Sequence, residues 1–407
     1  HDIRVKYNIV WSFEGILLAL KSFFNKKPKQ VDILFLCHDV HRHAKKEKKL
    51  YAPLIDPIIE ELCDNFKCLT LATPFSKNFG SSCFNDVQNY NYKILIGFLK
   101  RVLLFRSFVL LDSKKDPLIK AYESLLKDFK PKIIFGIQPS VEICIAAKRL
   151  GIKKYDIQHG IISDVNYYSI LKREKIDQQG WPDMVLCWDK ESSKRVDNIS
   201  HKNVENKIIG NPTYHSKSGQ DLYKKFISQR KDLDKYRSEW LITLTYLDYG
   251  VYNQDKCYQE IGIPIQVVNM INKTPEIFWR IRLHPVQIRF FRSRVDKSLN
   301  NMIKDKSNVD WDTFSNIPLG SALHKADGHL TVESASALDA AQNGIPTLLV
   351  GCPGVSSKDK ADLYFREYIE SGAMKYVNAP DLNKDDLNSF EDYKNRFNSK
   401  NASNQNG

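Results

Sequence analysis

Glu333, Ser334 and Ser336 have the residue types of an anion-binding turn and stand between two apolar runs. The pattern of residues 326–351 predicts a short buried strand, a polar turn, an Ala-rich helix ending at Asn-Gly, and a second strand. Ligands bind at the carboxyl edge of an open parallel sheet, where this turn would lie. Hydroxyls and backbone N–H groups at a helix start suit a phosphate, and the helix dipole adds about 0.3–1 kcal/mol. The alternative is that Ser334 only caps the helix.

Other groups able to do chemistry follow other predicted strands. They are Asp39 after residues 31–37, Gln158, His159 and Gly160 after 154–157, Asp248 after 240–246, and His284 with Pro285 after 278–283. Such side chains supply general bases, nucleophiles and phosphate ligands. Asp248 and His284 could instead be turn residues without a functional role, because Asp near Gly and His before Pro are common in turns. Strand alternation puts Arg282 on the face of His284, in a supporting position.

The elements that must position these residues repeat as strand, turn and helix, which predicts an α/β chain of doubly wound domains. A length of 407 residues, 42% of them hydrophobic and 27% charged, is enough for two or three packed domains. We expect an N-terminal domain over residues 1–212 and a C-terminal domain over 213–383. The tail, 384–407, is expected to carry a last helix that packs back on the first domain.

Three apolar stretches predict helices: residues 51–61, residues 93–111 and a single helix within 257–272. Residues 93–111 carry Lys100, Arg101 and Arg106, and three central charges argue against a membrane span. Either this helix is a core helix whose charged tips reach water, or it lies on an anionic membrane. We favour the core helix.

The net charge of +13 favours an anionic partner such as a polyanion or a membrane face. Zinc-finger spacing, aromatic RNA-binding signatures and dense basic helices are missing, so nucleic acid is not expected as a partner. Eight scattered cysteines without a C-x-x-C pair predict reduced thiols in a cytoplasmic protein, and no secretory signal is apparent. The three histidines within residues 38–43 lack partners at metal-ligand spacing, so no metal site is expected.

The two C-terminal clusters together carry a resemblance. His284–Pro285 followed about fifty residues later by Glu-Ser-x-Ser resembles bacterial GT-B glycosyltransferases that use cytidine nucleotides, including sialyltransferases, Kdo transferases and glycerophosphate polymerases. The Gln158-His159-Gly160 turn and the Y-x-P-L-I-D-P-I segment at 51–58 resemble most the β-Kdo transferases of lipopolysaccharide O-antigen and capsule assembly. The resemblance covers both domains loosely. It implies two Rossmann-like domains facing across a cleft, with the acceptor side in the first and the nucleotide site in the second.

The resemblance also implies roles for residues. His284 would contact the phosphate of CMP through a hydrogen bond or a positive charge, and Pro285 would fix its loop. Ser334 and Ser336 would hold the same phosphate. Glu333 would accept hydrogen bonds from the ribose hydroxyls or the cytosine amine.

A β-linked donor and a β-linked product mean retention, for which Asp248 is the expected nucleophile of a double displacement. An inverting enzyme would instead need a base for the acceptor hydroxyl, and Asp39, His159 or Glu174 could serve. Gln158, His159 and Gly160 would lie on the acceptor side of the cleft. No Asp-x-Asp motif is present, so neither a cofactor nor an essential metal is expected beyond the CMP-activated sugar.

The expected function is therefore transfer of Kdo from CMP-β-Kdo to a lipid-linked or oligosaccharide acceptor, at the cytoplasmic membrane face. Alternatives of the same fold are a sialyltransferase, a CDP-polyol phosphotransferase and a UDP-sugar epimerase. A different alternative is a non-catalytic sugar- or nucleotide-binding module.

Overall fold

A computed structural model describes residues 16–25, 30–42, 44–74, 76, 78–105, 113–162, 178–199, 203–215, 235–245, 256–304, 307–353 and 355–390. The chain divides into two compact units, residues 1–220 and 221–407. Each unit is built on a six-stranded parallel sheet, as the strand–turn–helix pattern predicts.

The described residues of the N-terminal unit form eight strands: β1 (Ile33–Cys37), β2 (Ala44–Lys46), β3 (Lys49–Tyr51), β4 (Cys68–Ala72), β5 (Ile133–Gly136), β6 (Lys153–Ile157), β7 (Met184–Cys187) and β8 (Glu205–Ile208). Its helices are α1 (Asp56–Leu62), α2 (Tyr92–Phe105), α3 (Pro117–Phe129), α4 (Val141–Arg149), α5 (Lys190–Ile199) and α6 (Pro212–His215). The sheet runs β4-β1-β5-β6-β7-β8, and β2 and β3 form a separate antiparallel hairpin. The chain reverses direction across the sheet between β1 and β5, so their carboxyl ends form the switch point of this unit.

The residues of the N-terminal unit explain its helices. Asp116 caps α3 by accepting from the N–H groups of Leu118 and Ile119, and Pro117 takes the first helical position. Asp116 also pairs with buried Arg101 of α2 at 2.8 Å, and so links the two helices. Gly97 lets them approach closely, because a Cβ there would lie 2.5 Å from that of Ala121.

The helix expected at residues 51–61 is shorter than predicted, because Tyr51 belongs to strand β3 and α1 begins only at Asp56. The buried Asp56 carboxylate accepts from the N–H of Ala52 at 2.6 Å, which holds residues 52–55 in a turn. It also pairs with Arg42 at 3.2 Å, and both side chains are fully buried. The turn is therefore fixed by side-chain contacts that the apolar periodicity does not reveal.

The C-terminal unit has strands β9 (Ser238–Thr243), β10 (Ile277–Arg282), β11 (Val309–Asp310), β12 (Gly328–Thr331), β13 (Thr347–Gly351) and β14 (Met374–Asn378). Its helices are α7 (Lys256–Ile261), α8 (Ile265–Lys273), α9 (Arg292–Met302), α10 (Asp312–Asn316), α11 (Leu319–Leu323), α12 (Ser336–Gln342), α13 (Lys358–Glu370) and α14 (Asp385–Asn388). The sheet runs β11-β10-β9-β12-β13-β14. Counted within the unit this is 3-2-1-4-5-6, the Rossmann order, with the switch point between β9 and β12.

One prediction for the C-terminal unit needs correction. The single helix within 257–272 is two helices, α7 and α8, because Gly262 has φ +85° and Pro264 follows it. A Cβ on Gly262 would lie 1.9 Å from the carbonyl oxygen of Thr245, so the break also brings the chain against the end of β9. In the last segment, the described helical residues are Asp385–Asn388.

Two apolar side chains of the described part of the tail belong to the core of the C-terminal unit. Phe390 and Leu387 are buried there, and the Phe390 ring centroid is 6.4 Å from that of Trp240 on β9. Lys375 and Asp386 form an ion pair at 2.8 Å across the same region. The segment expected to pack on the first domain thus contributes, as far as residue 390, to the second unit.

Within the described part of the chain, no helix is both long and apolar enough to cross a membrane. The helix predicted over 93–111 is described as Tyr92–Phe105, and one of its faces is in the core. The buried cysteines Cys37, Cys83, Cys144, Cys187 and Cys352 carry free thiols, as the scattered spacing predicted, although Cys63 is exposed.

Candidate functional site

The polar turns of the C-terminal unit lie at one edge of one sheet. His284 follows β10 and Glu333 follows β12, and β9 lies between these two strands. Neighbouring strands are about 4.8 Å apart, so the two turns start roughly 10 Å from each other. That distance fits a nucleotide phosphate and its sugar at the switch point beside β9.

The His284 turn is held by hydrogen bonds that fix its ring. Its Nδ1 accepts from the Val286 N–H at 3.2 Å, so the neutral ring carries its proton on Nε2. The His284 N–H donates to Gln287 Oε1 at 2.8 Å, and Gln287 Nε2 donates to the Ile261 carbonyl at 3.1 Å. Gln287 therefore positions the turn against α7, a role that the sequence did not reveal.

Electrostatics make His284 a neutral donor. Burial lowers the pKa of His284 to about 4, and the neighbouring Arg282 charge acts in the same direction. The imidazole is then uncharged at pH 7 and donates through Nε2. The sequence left both a hydrogen bond and a positive charge open, and the structure favours the hydrogen bond.

Arg282 is buried and supports the strand end. Its guanidinium donates to the carbonyl oxygen of Phe314 at 2.6 Å and also to that of Ile317. Next to it, the Leu283 N–H donates to Ser315 Oγ at 3.0 Å. These bonds tie the end of β10 to α10 and the residue that follows it.

The two serines of the second turn differ in their surroundings. Ser334 is half-buried, and its Oγ accepts from the Ser336 N–H at 3.2 Å. Ser336 is buried, and its Oγ lies 2.7 Å from Thr243 Oγ1 and 3.4 Å from His329 Nε2. The Ser336 hydroxyl thus fastens α12 to β9, and Ser334 has the more accessible hydroxyl.

Glu333 lies beside this turn in a partly buried position. Burial raises the pKa of its carboxyl group, and Lys360, whose Nζ is 3.8 Å away, opposes that rise. Burial likewise raises the pKa of Tyr258, and the negative charge of Glu333 contributes to that rise. A carboxylate at this position has the chemistry to accept hydrogen bonds from hydroxyl or amino groups of a ligand.

A buried histidine holds the sheet below the site. His329 on β12 is fully buried, with Nε2 2.9 Å from Thr243 Oγ1 and Nδ1 3.1 Å from Thr347 Oγ1. Burial lowers the pKa of His329 to about 3. This neutral ring links β9, β12 and β13 directly behind the polar turns.

The histidines predict an acid-sensitive C-terminal unit. The folded-state pKa values of His284 and His329 lie below the value near 6.5 of an unfolded chain, so the unfolded state binds more protons between them. Their contribution to stability is present above about pH 6.5 and is lost as the pH falls towards 4, by about 1.4 kcal/mol per pH unit for each histidine. Urea unfolding from pH 4 to 8 measures this slope. His329→Gln should make it shallower, and an unchanged slope would contradict the assignment.

At the corresponding edge of the N-terminal unit, Gln158 positions the turn that carries His159 and Gly160. Its Nε2 donates to the Gly160 carbonyl and to Ser192 Oγ, both at 2.8 Å, and its Oε1 accepts from the Trp188 N–H at 2.7 Å. The exposed His159 ring meets that of His41, with centroids 5.9 Å apart. Gln158 is therefore a positioning residue, and His159 is the member of the turn available to a substrate.

Asp39 lies at the same edge of the sheet, and its side chain is buried. Its buried carboxylate accepts from the Asn78 N–H at 3.3 Å, which ties the turn after β1 to the residues beyond β4. This bond makes Asp39 an anchor of the turn that carries His41.

A cavity of about 240 Å³ lies at the switch point of this unit. Its polar lining includes His38, His41, Asn91, Gln138 and Ser140. Gln138 has φ +46°, and its N–H donates to buried Asp156 at 2.9 Å. Gln138 lies just beyond β5, so the sequence places it in the exit turn of that strand, whereas Asn91 was not singled out from the sequence.

Two candidate residues, Asp248 and Glu174, lie outside the described residues. Among those that are described, no three His, Cys, Asp or Glu side chains group as metal ligands.

No protein-family model and no curated protein sequence matches the chain. It is similar to the solved structure of a putative UDP-N-acetylglucosamine 2-epimerase from Listeria monocytogenes, with 12% identity, 90% of this chain and 89% of that chain covered, and a TM-score of 0.50. S. aureus MnaA in a co-structure with UDP has 12% identity, coverage of 88% and 85%, and a TM-score of 0.49. The glycotransferase of kitacinnamycin has 11% identity, 91% coverage of both chains and a TM-score of 0.49. The parallel sheets and the first of these similarities show an α/β fold of the GT-B class, with two Rossmann-like units.

Proposed function

We propose that this chain is a glycosyltransferase that transfers Kdo from CMP-β-Kdo to a glycan acceptor in the synthesis of a bacterial surface polysaccharide. The observation that supports it is the placement of the His284 turn and the Ser334 turn at one carboxyl edge, on either side of β9, in a unit with the Rossmann strand order. The resemblance of His284–Pro285 and Glu-Ser-x-Ser to the pattern of cytidine-nucleotide transferases supports CMP as the nucleotide.

His284 is assigned to the leaving phosphate. As the bond from the anomeric carbon to the phosphate oxygen breaks, CMP leaves and its phosphate gains a negative charge. The Nε2–H of neutral His284 donates to that oxygen, and the hydrogen bond strengthens as the charge develops. Ser334 donates to the same phosphate from the neighbouring turn, and Ser336 keeps α12 in place beneath it.

Glu333 is assigned to the cytidine. Its carboxylate accepts from the ribose hydroxyls or from the cytosine amine, beside Lys360 and Tyr258. An amino group on the base is what distinguishes cytosine from uracil at that position. This contact would give the site its preference for CMP over UDP.

Asp248 is assigned to the sugar. It follows β9, the strand between the two phosphate-binding turns. Its carboxylate attacks the anomeric carbon as CMP leaves, and the acceptor hydroxyl then displaces the carboxylate, so two inversions give net retention. The acceptor is assigned to the N-terminal edge with His41 and His159, where a histidine takes the proton of the acceptor hydroxyl.

A nucleotide panel tests the donor. CMP is expected to raise the melting temperature of the chain and UDP at the same concentration is not, since ligand binding at 100 times Kd adds about 2.7 kcal/mol of stability. The Ser334→Ala variant should show a smaller CMP-induced rise of the melting temperature. Ser82→Ala, which changes an exposed serine of the N-terminal unit, is the matched control and should respond to CMP like the wild type. A shift with UDP and none with CMP would favour the UDP-sugar alternative and contradict the proposal.

A further inference from the structure

The outward face of helix α2 is apolar where a surface helix is ordinarily polar. Ile96, Leu99, Leu103 and Leu104 are exposed, the last two at 78% and 70%, while Ile94 and Leu95 face the core. Spacings of three, four, seven and eight residues put the exposed four on one stripe of the helix. Both faces of α2 are thus apolar, and only one of them is covered by the described residues.

A second exposed apolar segment lies against the start of this helix. Phe23 and Phe24 are 63% and 85% exposed, and the Phe23 ring meets that of Tyr92 with centroids 5.3 Å apart. Ser22 Oγ accepts from the Tyr92 N–H at 3.0 Å, and Asn25 donates to the Asn89 carbonyl at 2.7 Å. These bonds hold residues 16–25 on α2, so the aromatic rings and the leucine stripe belong to one surface, which we call the α2 face.

The positive charge of these segments indicates a negatively charged partner. The described residues 16–25 and 92–105 carry four basic residues, Lys21, Lys93, Lys100 and Arg101, and no aspartate or glutamate. Lys93 and Arg101 are engaged by Asp128 and Asp116 inside the unit, whereas Lys21 and Lys100 are exposed. The described residues 16–25 and 92–105 thus present an apolar surface with exposed lysines and without a carboxylate of their own, which is complementary to a bilayer that contains anionic lipid. Two copies of the same face would bring like charges together, which disfavours a dimer.

We propose that the α2 face docks on an anionic phospholipid bilayer, with the aromatic rings and leucines in the interfacial layer and the lysines at the headgroups. The inner side of the same helix lines a cavity of about 240 Å³ with Ile94, Leu95 and Phe98, next to Asn91 and Ser140 of the switch-point cavity. Docking therefore sets this edge of the N-terminal unit close to the membrane surface. The inference does not depend on the nature of the donor or on transfer activity.

The test is flotation of the full chain with vesicles of phosphatidylcholine alone or mixed with phosphatidylglycerol. We expect binding to the mixed vesicles, weakened by salt, and little binding to phosphatidylcholine. The double variant Leu103→Glu/Leu104→Glu should lower the bound fraction about tenfold or more, because two apolar side chains leave the interface. Leu363→Glu, which changes an exposed leucine of the C-terminal unit, should bind like the wild type.

A second variant tests the charge separately. Lys100→Glu keeps the apolar stripe and should reduce binding and its dependence on salt. An unchanged melting temperature shows that each variant is folded. Failure of the wild type to bind mixed vesicles, equal binding by Leu103→Glu/Leu104→Glu, or a dimer in solution that this variant dissolves would each overturn the proposal.

Discussion

The Asp248→Asn variant is expected to lose sugar transfer by about a thousandfold or more, on the scale seen when a catalytic nucleophile is removed. The amide is nearly isosteric with the carboxylate but does not attack the anomeric carbon. Because Asp248 is assigned to the sugar and not to the phosphate, CMP should still raise the melting temperature of the variant. The measurement is the initial rate of Kdo transfer from CMP-β-Kdo to a glycan acceptor, beside the CMP-induced shift.

Asp255 provides the matched control, since it is the next aspartate along the sequence and has no assigned role. Asp255→Asn should transfer sugar at the wild-type rate. Wild-type transfer by Asp248→Asn would end the assignment of the nucleophile. If the wild-type chain transfers no sugar from any donor while CMP still stabilises it, the chain is a nucleotide-binding module and not an enzyme.

Removal of the His284 side chain is expected to cost about 1–3 kcal/mol in kcat/KM, or roughly 5–150-fold, through loss of a hydrogen bond to the developing phosphate charge. Two variants separate the roles of its nitrogens. His284→Asn keeps an acceptor for the Val286 N–H but lacks a donor in the place of Nε2, and should lose as much as His284→Ala. His284→Gln keeps a donor there and should retain more activity.

The pH dependence of the same variants gives a further control. Since the pKa of His284 is lowered to about 4, transfer between pH 6 and 8 should not follow a histidine titration of this residue. Equal activity of the Asn and Gln variants would show that His284 does not donate through Nε2. Kinetics unchanged in all three variants would remove His284 from the site.

The fold was largely predictable from the sequence because its central strands are buried on both faces. The run of β1 and the run Leu348–Val350 in β13 are continuously apolar, and each is followed by a polar residue or glycine that marks the carboxyl edge. Edge strands such as β4 and β14 were not predicted, because they are only partly buried and their sequences alternate weakly. The break between α7 and α8 has a local signal in Gly262 and Pro264, which the prediction of a single helix overlooked, and only the close approach of Gly262 to Thr245 is not encoded locally.

Some site residues could also be placed from the sequence, whereas the roles of others depend on contacts made only in the folded chain. The sequence could place His284 and Glu333 at one edge, because strand ends carry that information. It could not separate Ser334 from Ser336, because the Ser336 hydroxyl is occupied by Thr243, which is 93 residues away. Likewise, Asp39 is anchored by Asn78 and Gln158 by Trp188, contacts that exist only in the folded unit.

The most direct test of the account is the electron density of a crystal of the chain soaked with CMP. The account predicts the nucleotide at the carboxyl edge of the C-terminal sheet, with its phosphate within hydrogen-bond distance of His284 Nε2 and of the Ser334 turn. It also predicts a cytidine contact with Glu333. Density for CMP in the cavity of the N-terminal unit, or at the opposite edge of the C-terminal sheet, would contradict it.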